Sequence, residues 1–425
     1  MNNHTGKRNI GTYVCRIMAL LLGILVNFDF FTIGGMSIVS LLILVYFVFV
    51  IISFRIGKIS KLDKKFFLLP FLYLTLLILL NLLNSNYINN TVFPIGFIFC
   101  IILYYVTFVH VKNDPRTIDF FLSGFVLGGI GMSICFMLGI GVEFEGGRLE
   151  IFGSNSNNLG CLMCISLSIV LYRFVIKDCF KLKWLRLCFI IVLVPIIEVV
   201  LFSASRTALI ITVTIILLCL FISIKKIKSK RARFMYLSVI VCGGYFIINN
   251  LVDFEEYETM YSRVVEMREN ENANYSSGRT TIWDELLVEA IQHPLGLGQT
   301  GYTVIAQKLM SSTKIDGEAS PHNVPLEVFL YTGILGFIIM LSFWIRIFIK
   351  ALHYFRDKND LTFILLITIF YIQMMFGQIL LFRVAWITFG IIAGALLLQS
   401  KRIKYPILND NQMHLHDAQD QQASI

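Results

Sequence analysis

Three polar segments of this mostly apolar chain carry residues whose types could do chemistry. Arg148 lies among glycines and asparagines, Arg206 lies in a short turn between two apolar runs, and Arg279 opens a polar helix. A guanidinium group presents a planar fork of donors that suits the oxygens of a phosphate or carboxylate. His322 adds an imidazole, which can take up a proton near neutral pH. These residue types predict a site that binds an anionic or sugar ligand and transfers a proton.

These residues also have structural interpretations. A histidine at a membrane edge, as His322 would be, is more often a hydrogen-bonded structural residue than a catalyst. An arginine at a membrane boundary, as Arg206 would be, often reaches toward lipid headgroups. Arg279 opposes the dipole of the helix that it opens, so a neighbouring carboxylate is as reasonable a partner as a ligand phosphate. Asn157 or Asn158 is expected to cap the helix that follows. The chemical interpretation therefore depends on how these segments are positioned.

The elements that must position them are apolar helices. Hydrophobic residues make up 57% of the 425 residues and charged residues 15%, whereas a soluble domain has roughly 45–50% and about 25%. We therefore expect an all-α polytopic integral membrane protein. A span needs roughly 17–25 apolar residues, and twelve runs qualify: 13–29, 36–54, 66–83, 93–111, 119–140, 156–176, 187–203, 206–224, 234–252, 324–345, 361–380 and 384–399.

The distribution of charge predicts the orientation. About 26 of the 36 lysines and arginines fall in loops on the N-terminal side of a twelve-span arrangement, as the positive-inside rule requires. Both termini are then cytoplasmic. We expect a membrane domain over 1–252 with spans 1–9, a large periplasmic loop over 253–323, three further spans over 324–399 and a cytoplasmic tail over 400–425. Short basic loops do not form a nucleic-acid-binding face, and the first apolar run is expected to be an anchor.

The outer loop is predicted to contain an amphipathic helix that ends at Pro294 and Gly296. Such a helix would lie on the membrane surface or dock on the spans, with one apolar stripe formed by Ile282, Trp283, Leu286, Leu287, Ala290 and Ile291. The loop contains no cysteine. Cys161 and Cys164 lie inside an apolar run, where they are expected to be packing residues rather than metal ligands.

The assembled motifs resemble those of the bacterial O-antigen polymerase and O-antigen ligase superfamily. The segment from Asn155 to Gly160 is similar to the family's Asn-Pro-Asn-Leu-Ala/Gly segment, although the proline is missing here. Ser205-Arg206-Thr207-Ala208 resembles its Ser-Arg-Thr/Gly-Ala motif. The opening of the family's periplasmic loop is resembled by Arg279 with Ile282-Trp283, followed by Pro294-Leu295-Gly296-Leu297-Gly298. The family's His-Asn-x9-Gly-x-x-Gly signature is matched by His322-Asn323 with Gly333 and Gly336.

The resemblance implies a GT-C-like membrane glycosyltransferase that uses an undecaprenyl-diphosphate-linked oligosaccharide as donor, with no metal and no cofactor. It implies that Arg206 and Arg279 bind the diphosphate and that His322 positions or deprotonates the acceptor hydroxyl. The active site would face the periplasm across the inner membrane. Substrate-binding roles are expected for Arg148, Asn155, Asn157, Asn158, Trp283 and Asn323.

Three functions remain open at this stage. A polymerase adds the growing glycan to the next lipid-linked repeat unit, whereas a ligase adds it to the lipid A core, and the shared signature does not separate them. Polymerase is the preferred interpretation, with membrane lipid and a chain-length regulator as further partners. A transporter or lipid-linked glycan flippase is the alternative of another class. However, a long outer loop after the ninth span breaks the symmetry of repeated halves that transporters often show.

Overall fold

The fold is that of a computed structural model. Over the residues that this structure describes, its regular elements are helices and two short hairpins. The structure describes residues 10–29, 32–33, 36–54, 61–83, 92–145, 147–177, 183–226, 229, 231, 238, 262, 279–313, 322–377 and 379–404.

Thirteen α-helices are described in these ranges. They are α1 (Ile10–Leu25), α2 (Ile38–Phe54), α3 (Lys61–Leu83), α4 (Val92–Asn113), α5 (Thr117–Met137), α6 (Ser156–Ile169), α7 (Lys183–Phe202), α8 (Arg206–Lys226), α9 (Arg279–Gln292), α10 (Gly298–Thr313), α11 (Val324–Lys358), α12 (Thr362–Phe376) and α13 (Arg383–Lys404). A π-helical segment, Val170–Ile176, continues α6, and a 3-10 turn, Val26–Phe28, follows α1. The antiparallel strands are β1 (Thr32–Ile33) with β2 (Met36–Ser37), and β3 (Val142–Glu145) with β4 (Arg148–Ile151).

Helices occupy eleven of the twelve predicted apolar runs, while the run over 234–252 lies outside the described residues apart from residue 238. Within the described part of the chain, six helices are long and apolar enough to cross a membrane, and four apolar helices are shorter. The protein is therefore a multi-pass, helical membrane protein. Several helix boundaries differ from the predicted runs, most of all at the end of α11. The tenth run was expected to end at residue 345, but α11 continues to Lys358, and α13 extends to Lys404.

Small residues let the central helices approach each other closely. A Cβ atom at Gly390 would lie 2.7 Å from the carbonyl oxygen of Tyr104, and one at Gly394 would lie 2.9 Å from that of Phe108. This spacing of four residues is the small-xxx-small pattern of membrane helix contacts. An aromatic cluster around Trp386 fills the space beside this crossing of α4 and α13.

An ion pair shows that α6 and α11 run in the same direction through the bundle. Lys177, just after the π-helical segment that continues α6, pairs with Asp360, just after α11. Both helices therefore end on one side, which we call the basal end, and begin on the other, which we call the site end. The Lys177 Nζ atom lies 2.5 Å from Asp360, and Thr362 donates two further hydrogen bonds to the same carboxylate. Burial opposes ionisation of Asp360, but these hydrogen bonds outweigh it and lower the pKa of the carboxyl.

Candidate active site

The β3–β4 hairpin places Arg148 beside the start of α6 and the turn after α7. Leu149 and Ile151 are fully buried and alternate with Arg148 and Glu150, because successive side chains of a strand point to opposite faces. The Arg148 guanidinium donates one hydrogen bond of 2.9 Å to the Asn157 side-chain oxygen and one of 3.4 Å to the Ser203 carbonyl. The arginine is thus held at the junction between the hairpin, the start of α6 and the turn after α7.

Asn157 joins two of the predicted motif segments. Its side-chain oxygen accepts from Arg148 and also from the Ser205 hydroxyl, at 3.0 Å. The same Ser205 oxygen accepts from the backbone N–H of Ala208 at the start of α8. Arg206 is the first residue of α8, and its Nε atom is buried. The structure therefore brings Arg148, Asn157 and Ser205 into direct contact, with Arg206 next to Ser205 in the chain.

Close packing of α6 on α8 keeps these groups together. A Cβ atom at Gly160 would lie 2.6 Å from the Cβ of Ala208. One turn further, the Cys164 thiol contacts the Ala208 carbonyl and the Thr212 hydroxyl at 3.4 and 3.3 Å. Cys161 and Cys164 are free thiols that are fully buried within α6, the environment expected of packing residues.

The cap of α6 differs from the prediction. Asn155 occupies the N-cap position, and its side-chain oxygen accepts from the backbone N–H of Asn157 at 2.9 Å. The expectation that Asn157 or Asn158 caps this helix was wrong, because the helix already begins at Ser156. The residue before it, Asn155, has the non-helical backbone that a cap requires. Asn157 is thereby released to bind Arg148.

The helices α9 and α10 are locked onto α11 through two glycines. Gly333 interrupts α11 with φ 65° and ψ −166°, a backbone region that is essentially restricted to glycine. The Ile334 N–H, which would ordinarily bond to Leu330 four residues earlier, donates instead to the Pro294 carbonyl at 3.0 Å. The Leu330 carbonyl that this leaves open accepts from the Leu297 N–H at 2.8 Å.

This exchange satisfies the backbone groups that the kink would otherwise leave unpaired, as a buried kink requires. Gly296 faces Gly333 so closely that a Cβ atom at Gly296 would lie 2.5 Å from the Gly333 nitrogen. The two motifs that the sequence analysis treated separately, Pro294 to Gly298 and the glycine pair after His322, therefore form one contact. It fixes α9 and α10 relative to the start of α11.

His322 lies immediately before α11 and is half-buried. Its φ of 44° is in the left-handed region, which histidine adopts more readily than most residues. Asn323 is the N-cap of α11, and its side-chain oxygen accepts from the Leu326 N–H at 3.0 Å. One turn into the helix, the buried Glu327 accepts a hydrogen bond from Tyr331. The structure thus gives Asn323 a capping role, which is compatible with the substrate contact predicted for it.

Arg279 is the first residue of α9, but its side chain lies outside the described residues. Trp283 is half-buried one turn later. The predicted apolar stripe of α9 is only partly buried, because Leu286 and Ala290 are 1% exposed whereas Leu287 and Ile291 are 52% and 68% exposed. The helix therefore docks on the bundle by one edge and leaves an apolar edge exposed, while its position on the membrane surface stays a prediction.

Backbone strain is concentrated in the motif segments. Among the described residues other than glycine, four have a positive φ: Phe152, Ala204, His322 and Asn359. Asn359 caps α11 in the usual left-handed conformation. The other three lie in the hairpin-to-α6, α7-to-α8 and pre-α11 connections, and each costs about 1–2 kcal/mol. Such strain commonly occurs at functional sites.

Sequence reasoning missed three features of the site end. The hairpin was signalled by Gly146-Gly147 between alternating residues, a common turn pattern. The ion pair of Arg383 with Asp29 joins segments 354 positions apart, so no local pattern could reveal it. Burial, followed by repulsion from Glu145, raises the pKa of Glu150, and this depends on the hairpin register. No group of three His, Cys, Asp or Glu residues suited to a metal occurs within the described ranges.

Comparison with known proteins agrees with the motifs. Residues 189–341 match a family model described as O-antigen ligase, and this stretch covers Arg206, α9, α10 and the first half of α11. It excludes Arg148 and the asparagines of α6. No curated protein matches the chain. The matched family is one of membrane glycosyltransferase-type enzymes. The match confirms the resemblance drawn from the motifs over residues 189–341, which carry Arg206, Arg279 and His322.

Proposed function

We propose that the protein is an O-antigen polymerase, which joins undecaprenyl-diphosphate-linked repeat units at the periplasmic face of the bacterial inner membrane. The observation that carries the proposal is the junction in which Asn157 binds both Arg148 and Ser205 beside Arg206. This junction supports a diphosphate site, because it places Arg148 of β4 and Arg206, the first residue of α8, at the same end of the bundle. Arg148 is held in place by Asn157 and the Ser203 carbonyl, so this cationic group is preorganised for an anion.

The proposed reaction is a displacement at the anomeric carbon of the donor glycan. The acceptor hydroxyl oxygen forms the new bond to that carbon, and the bond from the carbon to the diphosphate oxygen breaks with inversion. His322 accepts the hydroxyl proton. Arg206 and Arg279 stabilise the negative charge that develops on the departing lipid diphosphate, with Arg148 as a third cationic group. Asn155, Asn157, Asn158, Asn323 and Trp283 complete the proposed substrate contacts.

Ligase activity is the second candidate, because the family model that matches carries that description. A lipopolysaccharide gel of a deletion strain, with the lipid-linked glycans analysed in parallel, separates the two. Loss of a polymerase leaves the lipid A core with a single repeat unit. Loss of a ligase leaves bare core and accumulates long polymer on the lipid carrier. A normal ladder would refute both, and flipping of a labelled lipid-linked sugar in vesicles would then favour transport.

Complementation on the same gel tests the residues. We expect His322→Ala and Arg279→Ala each to abolish the ladder, since general-base catalysis contributes roughly 10²–10⁴-fold and the arginine binds the leaving group. His353→Ala and Arg356→Ala are matched controls, because both residues are exposed near the basal end of α11. The controls should restore the ladder. If His322→Ala and Arg279→Ala restore it as well, the proposed catalytic residues are wrong.

A further inference from the structure

A cavity of about 280 Å³ at the site end is separate from the arginine junction, although two of the proposed substrate contacts line it. It lies between the end of α1, the start of α6 and the start of α13. Asn155 and Asn158 line it, whereas Arg148 and Asn157 do not. The asparagine-rich segment therefore contributes to two sites. Asn157 binds Arg148 and Ser205, whereas Asn155 and Asn158 line this cavity.

The charged groups of the cavity neutralise each other. Arg383 pairs with Asp29 and also donates to the Ser37 and Ser40 hydroxyls, at 2.6 and 2.7 Å. The fork of the guanidinium is thus engaged by the protein itself. An anion would gain little here, because the arginine already has its carboxylate, and a cation would meet the same arginine. The cavity suits an uncharged ligand.

The remaining lining alternates polar and apolar groups. Asn155, Asn158 and Ser154 supply amide and hydroxyl groups, and Leu162 and Phe382 supply apolar surface. A sugar ring presents hydroxyl groups at its edge and C–H groups on its faces, so it can use both kinds of surface. Small-molecule sites commonly occupy about 300–1,000 Å³, and a cavity just below this range fits one sugar ring rather than an oligosaccharide.

We propose that this cavity is a subsite for one neutral sugar residue of the glycan, separate from the place where the lipid diphosphate binds. The inference rests on the proposed function, because it requires a glycan substrate at the site end. The sugar can belong to the donor or to the acceptor. In either case, Asn158 donates or accepts hydrogen bonds with its hydroxyl groups, and Phe382 contacts its C–H face.

The test uses purified full-length protein in lipid nanodiscs that polymerises lipid-linked repeat units extracted from its own host. Two inhibitors serve as probes: the repeat-unit oligosaccharide freed from its lipid by mild acid, and inorganic diphosphate. For Asn158→Ala we expect the inhibitory concentration of the oligosaccharide to rise roughly three- to tenfold, because one or two neutral hydrogen bonds to the sugar are lost. The inhibitory concentration of diphosphate should stay within about twofold of the wild-type value. Asn158→Trp, which fills the cavity, should abolish inhibition by the oligosaccharide.

The controls separate this inference from the proposed function. Asn113→Ala removes an exposed asparagine at the end of α4 and should match the wild type with both probes. If the wild type transfers no glycan, the proposed function fails. If the wild type is active and both Asn158 variants keep its oligosaccharide inhibition, only the sugar subsite is refuted. Should Asn158→Trp fail to fold, the result with Asn158→Ala decides.

A KM increase confined to single lipid-linked units would assign the subsite to the acceptor, and one confined to lipid-linked polymer would assign it to the donor.

Discussion

Replacing Gly333 by alanine should disconnect α9 and α10 from α11. The new Cβ atom would overlap the Pro294 carbonyl oxygen and lie 2.7 Å from the Gly296 nitrogen. Both are backbone atoms, so no side-chain rotation can relieve the overlap. In addition, alanine is strained at the φ of 65° and ψ of −166° that Gly333 adopts.

The magnitude follows from three contributions. The backbone conformation costs about 1–3 kcal/mol for a residue with a side chain, and forced overlap in a packed region typically costs about 1–3 kcal/mol. The two exchanged hydrogen bonds, from Ile334 to Pro294 and from Leu297 to Leu330, contribute about 1 kcal/mol each and are lost if the turn moves away. The variant either keeps the overlap or moves the turn away and loses both hydrogen bonds, at about the same cost. Together with the strained backbone conformation, we expect a destabilisation of about 4 kcal/mol.

The assay is a thermal unfolding curve of the detergent-solubilised protein, together with complementation of the surface-glycan ladder. We expect Gly333→Ala to lower the Tm by about 5 °C and to abolish the ladder, since an error of about 1 Å in a catalytic group can cost 10²-fold in rate. Gly96→Ala is the matched control. It lies within α4, and its Cβ atom would meet only the flexible Leu381 side chain at 3.2 Å. If the unfolding and the ladder of Gly333→Ala equal those of the control, the exchanged-bond contact does not position the site.

Two further predictions concern the junction at the site end and the ion pair at the basal end. Arg148→Lys should weaken diphosphate inhibition of transfer roughly tenfold, because an ammonium cannot bridge Asn157 and the Ser203 carbonyl as the guanidinium does; unchanged inhibition would exclude Arg148 from the phosphate site. Asp360→Asn should lower the Tm at neutral pH by removing the pairing with Lys177. Because the pKa of Asp360 is lowered from 3.8 on folding, its contribution is fully present above that value and disappears as the pH falls through the folded pKa. The Tm difference between wild type and variant should therefore vanish only in strong acid, and a constant difference down to that range would contradict this account.

The sequence alone determined the class of the protein and the positions of most helices. Apolar runs of about twenty residues form helices because a bilayer leaves no other way to satisfy the backbone, and Gly, Pro and Asn marked their ends. The motif segments, the role of α9 as an amphipathic helix and the family could also be predicted, since each depends on residues that are close together in the chain. The location of the active site at the periplasmic face remains a prediction from charge distribution.

Tertiary structure alone decided which of these segments touch. The contact of Asn157 with both Arg148 and Ser205 depends on the packing of α6 against α8, and the order of residues in the chain does not encode that distance. The exchange of hydrogen bonds at Gly333 required two buried backbones to meet, which a glycine motif permits but does not specify. The pairing of Asp29 with Arg383 joins the first and last parts of the bundle. Local patterns record what a residue can do, whereas long-range packing determines the partner with which it does so.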